Sequence, residues 1–235
     1  MSSHSYSSEQ LILKIARTTQ QQTFKTAFAN AILQEALRRN NIHYQSIYVP
    51  SKRSLSWSNS GKVDGELMRV KNIAQLSPAN TQNLVRIEQP IIEIQLAAFT
   101  NKNITLSDWS SLRGYRVHYL RGRKAFEKKL SSVASSSDIN TTNDLAQAMR
   151  ILTSGRTDIV LADVFSATQL INATPAFKEI KIGTVLQTIK LYSFLNHKHS
   201  HLVAPITTTL KEMMADKSYF KIQQLLLNAH IARDK

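Results

Sequence analysis

The stretch Ser60-Gly61-Lys62-Val63-Asp64-Gly65-Glu66-Leu67-Met68-Arg69 is echoed by Ser154-Gly155-Arg156-Thr157-Asp158-Ile159-Val160-Leu161-Ala162-Asp163, and this echo limits the possible folds more than any other feature. In each copy a helix-like segment runs into Ser-Gly, a basic residue follows, and a short apolar run ends near an acid. A residue without Cβ adopts φ > 0 at little steric cost, so Gly61 and Gly155 suit the left-handed position that closes a helix. The residues after them then enter a strand. Two such joints predict two similar α/β halves, with Glu66, Arg69 and Asp163 near strand ends, where ligands bind in open α/β sheets.

Hydrophobic periodicity fills in the rest. Leu11 to Arg17 alternates and reads as a strand, Gln21 to Asn40 has helical spacing, and His43 to Val49 is a second strand stopped by Pro50. Ser51 to Ser60 reads as a short helix and Val63 to Met68 as a third strand, so the order predicts a mostly parallel sheet. Ile91 to Thr100 is long for a strand and reads as a crossover between lobes. Tyr115 to Leu120 is then a strand, Arg123 to Val133 a helix and Asp138 to Asn140 a short strand. A helix capped by Thr142 or Asn143 runs to Thr153, Thr157 to Leu161 is a strand and Val164 to Ile171 a helix. Ile180 to Val185 and Lys190 to Leu195 read as two strands. Two helices close the chain, Leu202 to Met214 and Tyr219 to Ile231, the second with Ile222, Leu225, Leu226 and Ala229 as its buried stripe. The predicted lobes are 11–97 with 194–235, and 98–193.

With 235 residues, 42% of them hydrophobic, the chain has material for real cores. It has no cysteine, which excludes disulfides and thiolate metal sites. No apolar run approaches the roughly 20 residues that span a bilayer. Met1 to Gln10 is polar and serine-rich, without the apolar core of a signal peptide, which predicts that any export signal has been removed. The net charge of +14 is scattered except at Arg113, Arg116, Arg121, Arg123, Lys124, Lys128 and Lys129, offset nearby only by Glu127. That run reads as a solvated helix face, with an anion site or a nucleic-acid surface as alternatives. Sparse aromatic interleaving weighs against nucleic acid, which would bind with steep salt dependence.

No Gly-x-Gly-x-x-Gly, phosphate loop, Gly-x-Ser-x-Gly or His-Glu-x-x-His occurs, so nothing points to a nucleotide, a cofactor or the commonest hydrolase chemistry. His197, His199 and His201 would share a face on a strand and hold zinc or copper, but a turn before a helix scatters them, and the turn is the expected state. Arg69 either grips a carboxylate with two parallel hydrogen bonds or pairs with Glu66 or another acid. Asp163 can accept from a ligand ammonium, cap the following helix, or both. Arg53, Trp57, Arg123 and Lys124 occupy comparable loop positions, with a core role for Trp57 as the plainer reading.

The Asp64 strand, the segment Leu112-Arg113-Gly114-Tyr115-Arg116-Val117 leading to Gly122, the Gly155 to Asp163 segment and the ending from Leu202 to Ile222 resemble family-three extracytoplasmic solute-binding proteins over nearly the whole chain. Arg53-Ser54-Leu55 followed by Ser60 to Glu66 and Arg69 is similar to a periplasmic branch whose ligands are mostly unassigned. The resemblance implies a type II fold, two α/β lobes joined by two hinge strands. It also implies a monomer that closes on a small ligand and presents it to an ABC-type transporter permease or a membrane sensor. In amino-acid binders of this family a first-lobe arginine holds the α-carboxylate and a second-lobe acid the α-ammonium. Asp163 matches the acid, while the usual arginine position reads Ala74-Gln75-Leu76, so Arg69 would act from nearer by. The family's small hydroxyl residues after the glycine are replaced by Arg123 and Lys124, which implies a more anionic ligand. Dehydratases of cyclic acids look like the same fold, and in that rival reading Glu66 is the general acid and Arg69 or Arg123 holds carboxylates.

Overall fold

A computed structural model describes residues 12–20, 23–121 and 124–233. In chain order the elements are β1 (Ile12–Arg17), α1 (Phe24–Arg39), β2 (His43–Tyr48), α2 (Ser51–Asn59), β3 (Gly65–Val70), α3 (Ile73–Leu76), β4 (Leu84–Arg86) and β5 (Ile92–Thr100). There follow β6 (Val117–Leu120), α4 (Lys124–Leu130), β7 (Ile139–Thr142), α5 (Leu145–Thr153), β8 (Ile159–Asp163), α6 (Val164–Ala173), β9 (Lys181–Asn196), α7 (Val203–Ala215) and α8 (Ser218–Arg233). The chain divides into two compact units, one through Ile92 and again from Lys190, the other Glu93–Ile189.

In the first unit β1 pairs in parallel with β2 and β3, while β3 and β4 both pair antiparallel with the end of β9. Leu13 and Ile15 alternate inward along β1. Helix α1 buries Phe28, Ile32, Leu33, Ala36 and Leu37, and α7 and α8 pack on it, Tyr219 meeting Phe28 edge to face at 5.1 Å. Fully burying each of the larger of these side chains contributes about 1.5–3 kcal/mol.

The second unit pairs β6 in parallel with β7 and β8, and β5 antiparallel with β8. Strand β8 and the second half of β5 are apolar on both faces because each face is covered. Leu96, Ala98, Val117, Tyr119, Ile159 and Leu161 face Phe126 and Leu130 of α4. Ala97, Phe99, Val160 and Ala162 face Ala148, Met149 and Leu152 of α5 and Ala167 of α6. Successive strand residues alternate between the two cores, which a period of two dictates.

The two echoed stretches take the same local structure. Helices α2 and α5 both end at Ser-Gly, with Gly61 at φ 77° and Gly155 at φ 73°. Lys62 N donates to Trp57 O and Arg156 N to Ile151 O, the six-to-one closure of a Schellman motif. Asp64 and Asp158 then make matching contacts. Each accepts a backbone N–H at 2.8 Å, from Lys14 of β1 and from Arg116 just before β6 respectively. Each also gathers nitrogen-bearing side chains, Lys198 and His199 on Asp64, Arg116 and Lys102 on Asp158.

Several expectations need correcting. Residues 181–196 form one continuous strand instead of two, because the run lacks a breaker strong enough to interrupt its ladder. Helix α5 is capped by Asp144, whose carboxylate accepts from Gln147 N at 2.7 Å, not by Thr142 or Asn143. On α8 Leu225 is 68% exposed and Ala229 is also exposed, so the buried side runs through Tyr219, Ile222 and Leu226. Apolar residues surround α8, and Tyr219, which packs on Phe28 and donates to Ile91 O, selects the face that turns inward.

Candidate functional site

In the first unit the candidate site starts from Glu66. Its side chain is 1% exposed, and Oε1 accepts from the hydroxyls of Ser54 and Ser58 while Oε2 accepts from Arg69 Nε at 2.8 Å. Ser54 and Ser58 lie one turn apart on α2, so their hydroxyls share the face that α2 turns to β3. Glu66 and Arg69 are three apart on a strand, a spacing that sends side chains to opposite faces of a regular sheet. A bulge removes the conflict. Glu66 stands opposite Phe194 and Arg69 opposite Tyr192, three steps on β3 against two on β9, and the extra residue turns Arg69 back to Glu66.

Arg69 is 14% exposed, and its Nη2 is buried with no hydrogen-bond partner among the described residues. A buried donor without a partner costs about 1–3 kcal/mol, so Nη2, like the buried Ser46 Oγ in the same unit, stands to gain from an added partner. Trp57 packs against Ala16, Val49 and Val63, with Lys62 Nζ 3.8 Å and Arg53 Cζ 5.8 Å from its ring centroid. It is therefore part core and part cation platform. Arg53 is exposed.

In the second unit Asp163 ends β8 opposite Leu96 and caps α6, accepting from Ser166 N at 2.9 Å. It is half-buried. Lys124 opens α4, and Arg123 lies outside the described residues. Within the basic run, Arg116 is taken up by Asp158 and Gly155 O, which removes one cation from any open face. His197, His199 and His201 lie in a 3-10 turn, where His199 Nε2 is 2.8 Å from Asp64 Oδ1. Among the described residues no group of three or more metal-ligating side chains is gathered.

Sequence reasoning passed over Ser54 and Ser58, whose signal was two hydroxyls one helical turn apart beside an arginine. It also passed over Arg17 and Tyr48, register partners at the C-terminal ends of β1 and β2. Arg17 lies over the Tyr48 ring at 5.8 Å and donates to the carbonyls of Thr19 and Gln20. The ends of adjacent parallel strands were the available signal.

No protein-family model matches the sequence. An uncharacterized protein of Shewanella oneidensis is 30% identical over 207 residues, 86% of this chain and 76% of that protein. Among solved structures, the L-cystine solute receptor of Neisseria gonorrhoeae in its unliganded open conformation matches with a TM-score of 0.72 at 14% identity, over 93% of this chain and 94% of that one. A histidine kinase sensor domain with similarity to periplasmic binding proteins matches with a TM-score of 0.56 at 14% identity, over 93% and 96%. The architecture is thus the two-lobe α/β fold of periplasmic binding proteins.

Proposed function

We propose, for a chain that belongs to the same family as the uncharacterized Shewanella oneidensis protein and has the periplasmic-binding-protein fold, that it is a non-catalytic, extracytoplasmic solute-binding protein. Its ligand is a small polar molecule bearing a carboxylate, held by Arg69 from the first unit and Asp163 from the second. Capture proceeds by lobe closure, and the bound form is delivered to an ABC-type transporter or read by a membrane sensor. A ligand shifts such an equilibrium only by its preference for the closed state, so both residues must contribute.

The observation that carries this reading is Arg69 itself, with its head fixed by a buried carboxylate and a buried Nη2 that no described residue engages. An arginine is the residue best shaped to receive a carboxylate. The same geometry weighs against the dehydratase-like reading, because Glu66, the candidate general acid, is enclosed by Ser54, Ser58 and Arg69.

A thermal-shift screen of amino acids, di- and tricarboxylates and other small anions tests the proposal. A ligand present at 100 times its Kd adds about 2.7 kcal/mol of stability, which moves the midpoint by several degrees. A hit that Arg69→Ala abolishes supports the reading. A blank from folded protein across the whole library counts against it, and turnover of a cyclic acid would favour the enzyme instead.

A further inference from the structure

The Glu66–Arg69 pair carries a second consequence, about which charge the ligand bears. We infer that Glu66, held by Ser54 and Ser58, is a positioning residue that makes Arg69 selective for a singly charged carboxylate over a dianion. This rests on the proposal that Arg69 meets the ligand.

Three observations support it. First, Glu66 is 1% exposed and its carboxylate already accepts three donors, so it is enclosed within the first unit and does not itself reach for a ligand. Second, among the described residues Arg69 is anchored through Nε. A guanidinium holds its five N–H groups in one plane, so fixing Nε also fixes the directions in which Nη2 donates. Nη2 is buried and has no partner among the described residues, and native proteins seldom leave such an atom unpaired. Third, the pair is charge-balanced. The two groups that hold Glu66 from the other side are hydroxyls, which donate hydrogen bonds without adding positive charge.

A ligand oxygen arriving at Nη2 therefore meets a cation whose charge is matched by a carboxylate bonded to the same guanidinium. One negative charge can be accepted there through a short N–H···O contact. A second is repelled by Glu66, whose carboxylate takes a hydrogen bond from no cation but Arg69 among the described residues, and loses more hydration on entering. Glu66 thus acts through Arg69, setting both its orientation and the net charge that the ligand encounters.

The test follows the Arg69 Nε–H resonance in 15N-labelled protein, assigned by its loss in Arg69→Lys, during titration with sodium acetate and with inorganic phosphate at constant ionic strength. In the unaltered protein acetate should shift the resonance saturably. At a pH above the second pKa of phosphate, where it is a dianion, phosphate should bind about tenfold more weakly, the order expected for one further unit charge repelled across a partly buried site. Glu66→Gln should narrow or reverse that preference by strengthening phosphate, which a merely structural role for Glu66 would not do. Ser54→Ala with Ser58→Ala keeps both charges but frees the carboxylate, so it should speed solvent exchange of the Nε–H and weaken acetate, and it decides the matter if Glu66→Gln does not fold. An acetate response left unchanged in every variant, with the preference for acetate intact, overturns the positioning role while leaving binding at Arg69 in place. A resonance that neither anion moves in folded protein overturns both.

Discussion

At the scale of residues, the candidate contacts differ in what else they do. Asp163 caps α6, so replacing it tests two roles at once unless the substitute separates them. Asp163→Ala should cost about 1 kcal/mol through the lost cap, whereas Asp163→Ser keeps an N-cap oxygen and should change stability by only a few tenths. Both should lose ligand affinity equally, which calorimetry with a hit from the screen would measure. Asp158 offers the contrasting case. Hydrogen bonds from Arg116, then Lys102, hold its carboxyl well below the usual range in spite of burial. Asp158→Asn should destabilise the protein by about 1–3 kcal/mol in denaturant titration, less than for a fully enclosed pair because Arg116 and Lys102 are about half-exposed. A loss below a few tenths would show that the cluster is decorative.

At the scale of elements, the recurrent unit is the joint from helix to strand, closed by a left-handed glycine and sealed by an aspartate that accepts a backbone N–H from the neighbouring strand segment. Gly65, just past the first joint, has a different constraint. A Cβ there would lie 2.1 Å from the Phe194 carbonyl oxygen, a backbone atom that cannot step aside. Gly155 has nothing within 4 Å and only its φ of 73° to protect. Gly155→Ala should therefore cost about 1–2 kcal/mol from backbone strain, and Gly65→Ala clearly more, read as the difference in unfolding midpoints. Helix α8 gives a second comparison. Tyr219→Ala should cost about 3 kcal/mol or more, while Leu225→Ala should stay within about 0.5 kcal/mol, because Tyr219 is buried on Phe28 and Leu225 is exposed. Equal costs would mean that α8 packs through the other face.

At the scale of the molecule, stability is expected to follow the carboxylates. Glu35 is brought down to about 2 by its hydrogen bond from Arg38, against burial and with help from Arg39. Asp216 is brought to about 2 by Ser218 and then Arg39. Burial raises Asp64, but hydrogen bonds from Lys198, the Lys14 backbone and His199 outweigh it and leave it lowered. Each group is more acidic folded than unfolded, so its contribution is present above the ordinary carboxylate range and disappears as the pH falls through the folded values. With a formal charge already at +14, protonating the acids also increases self-repulsion. The thermal midpoint should hold down to about pH 4.5 and fall steeply toward pH 2. A midpoint that declined mainly between pH 8 and 6 would point to the histidines instead.

The sequence by itself determined the local plan. Periods of two and of 3.6, the helix stops at Gly61 and Gly155, and the cap at Asp163 are set by neighbours a few residues apart, and so they can be read without a fold. The echo between Ser60 and Ser154 carried the two matching joints for the same reason. Only the tertiary structure decided which residues meet across strands and helices. Glu66 reaches Arg69 because the pairing of β3 with β9 admits one extra residue, and Ser54 and Ser58 reach Glu66 because α2 lies on β3. The inward face of α8 and the pairing of the end of β9 with β3 and β4 likewise depend on partners more than a hundred residues away in the chain. Contacts of that kind follow from register and packing, which a one-residue shift reverses, and no local pattern in the chain fixes them.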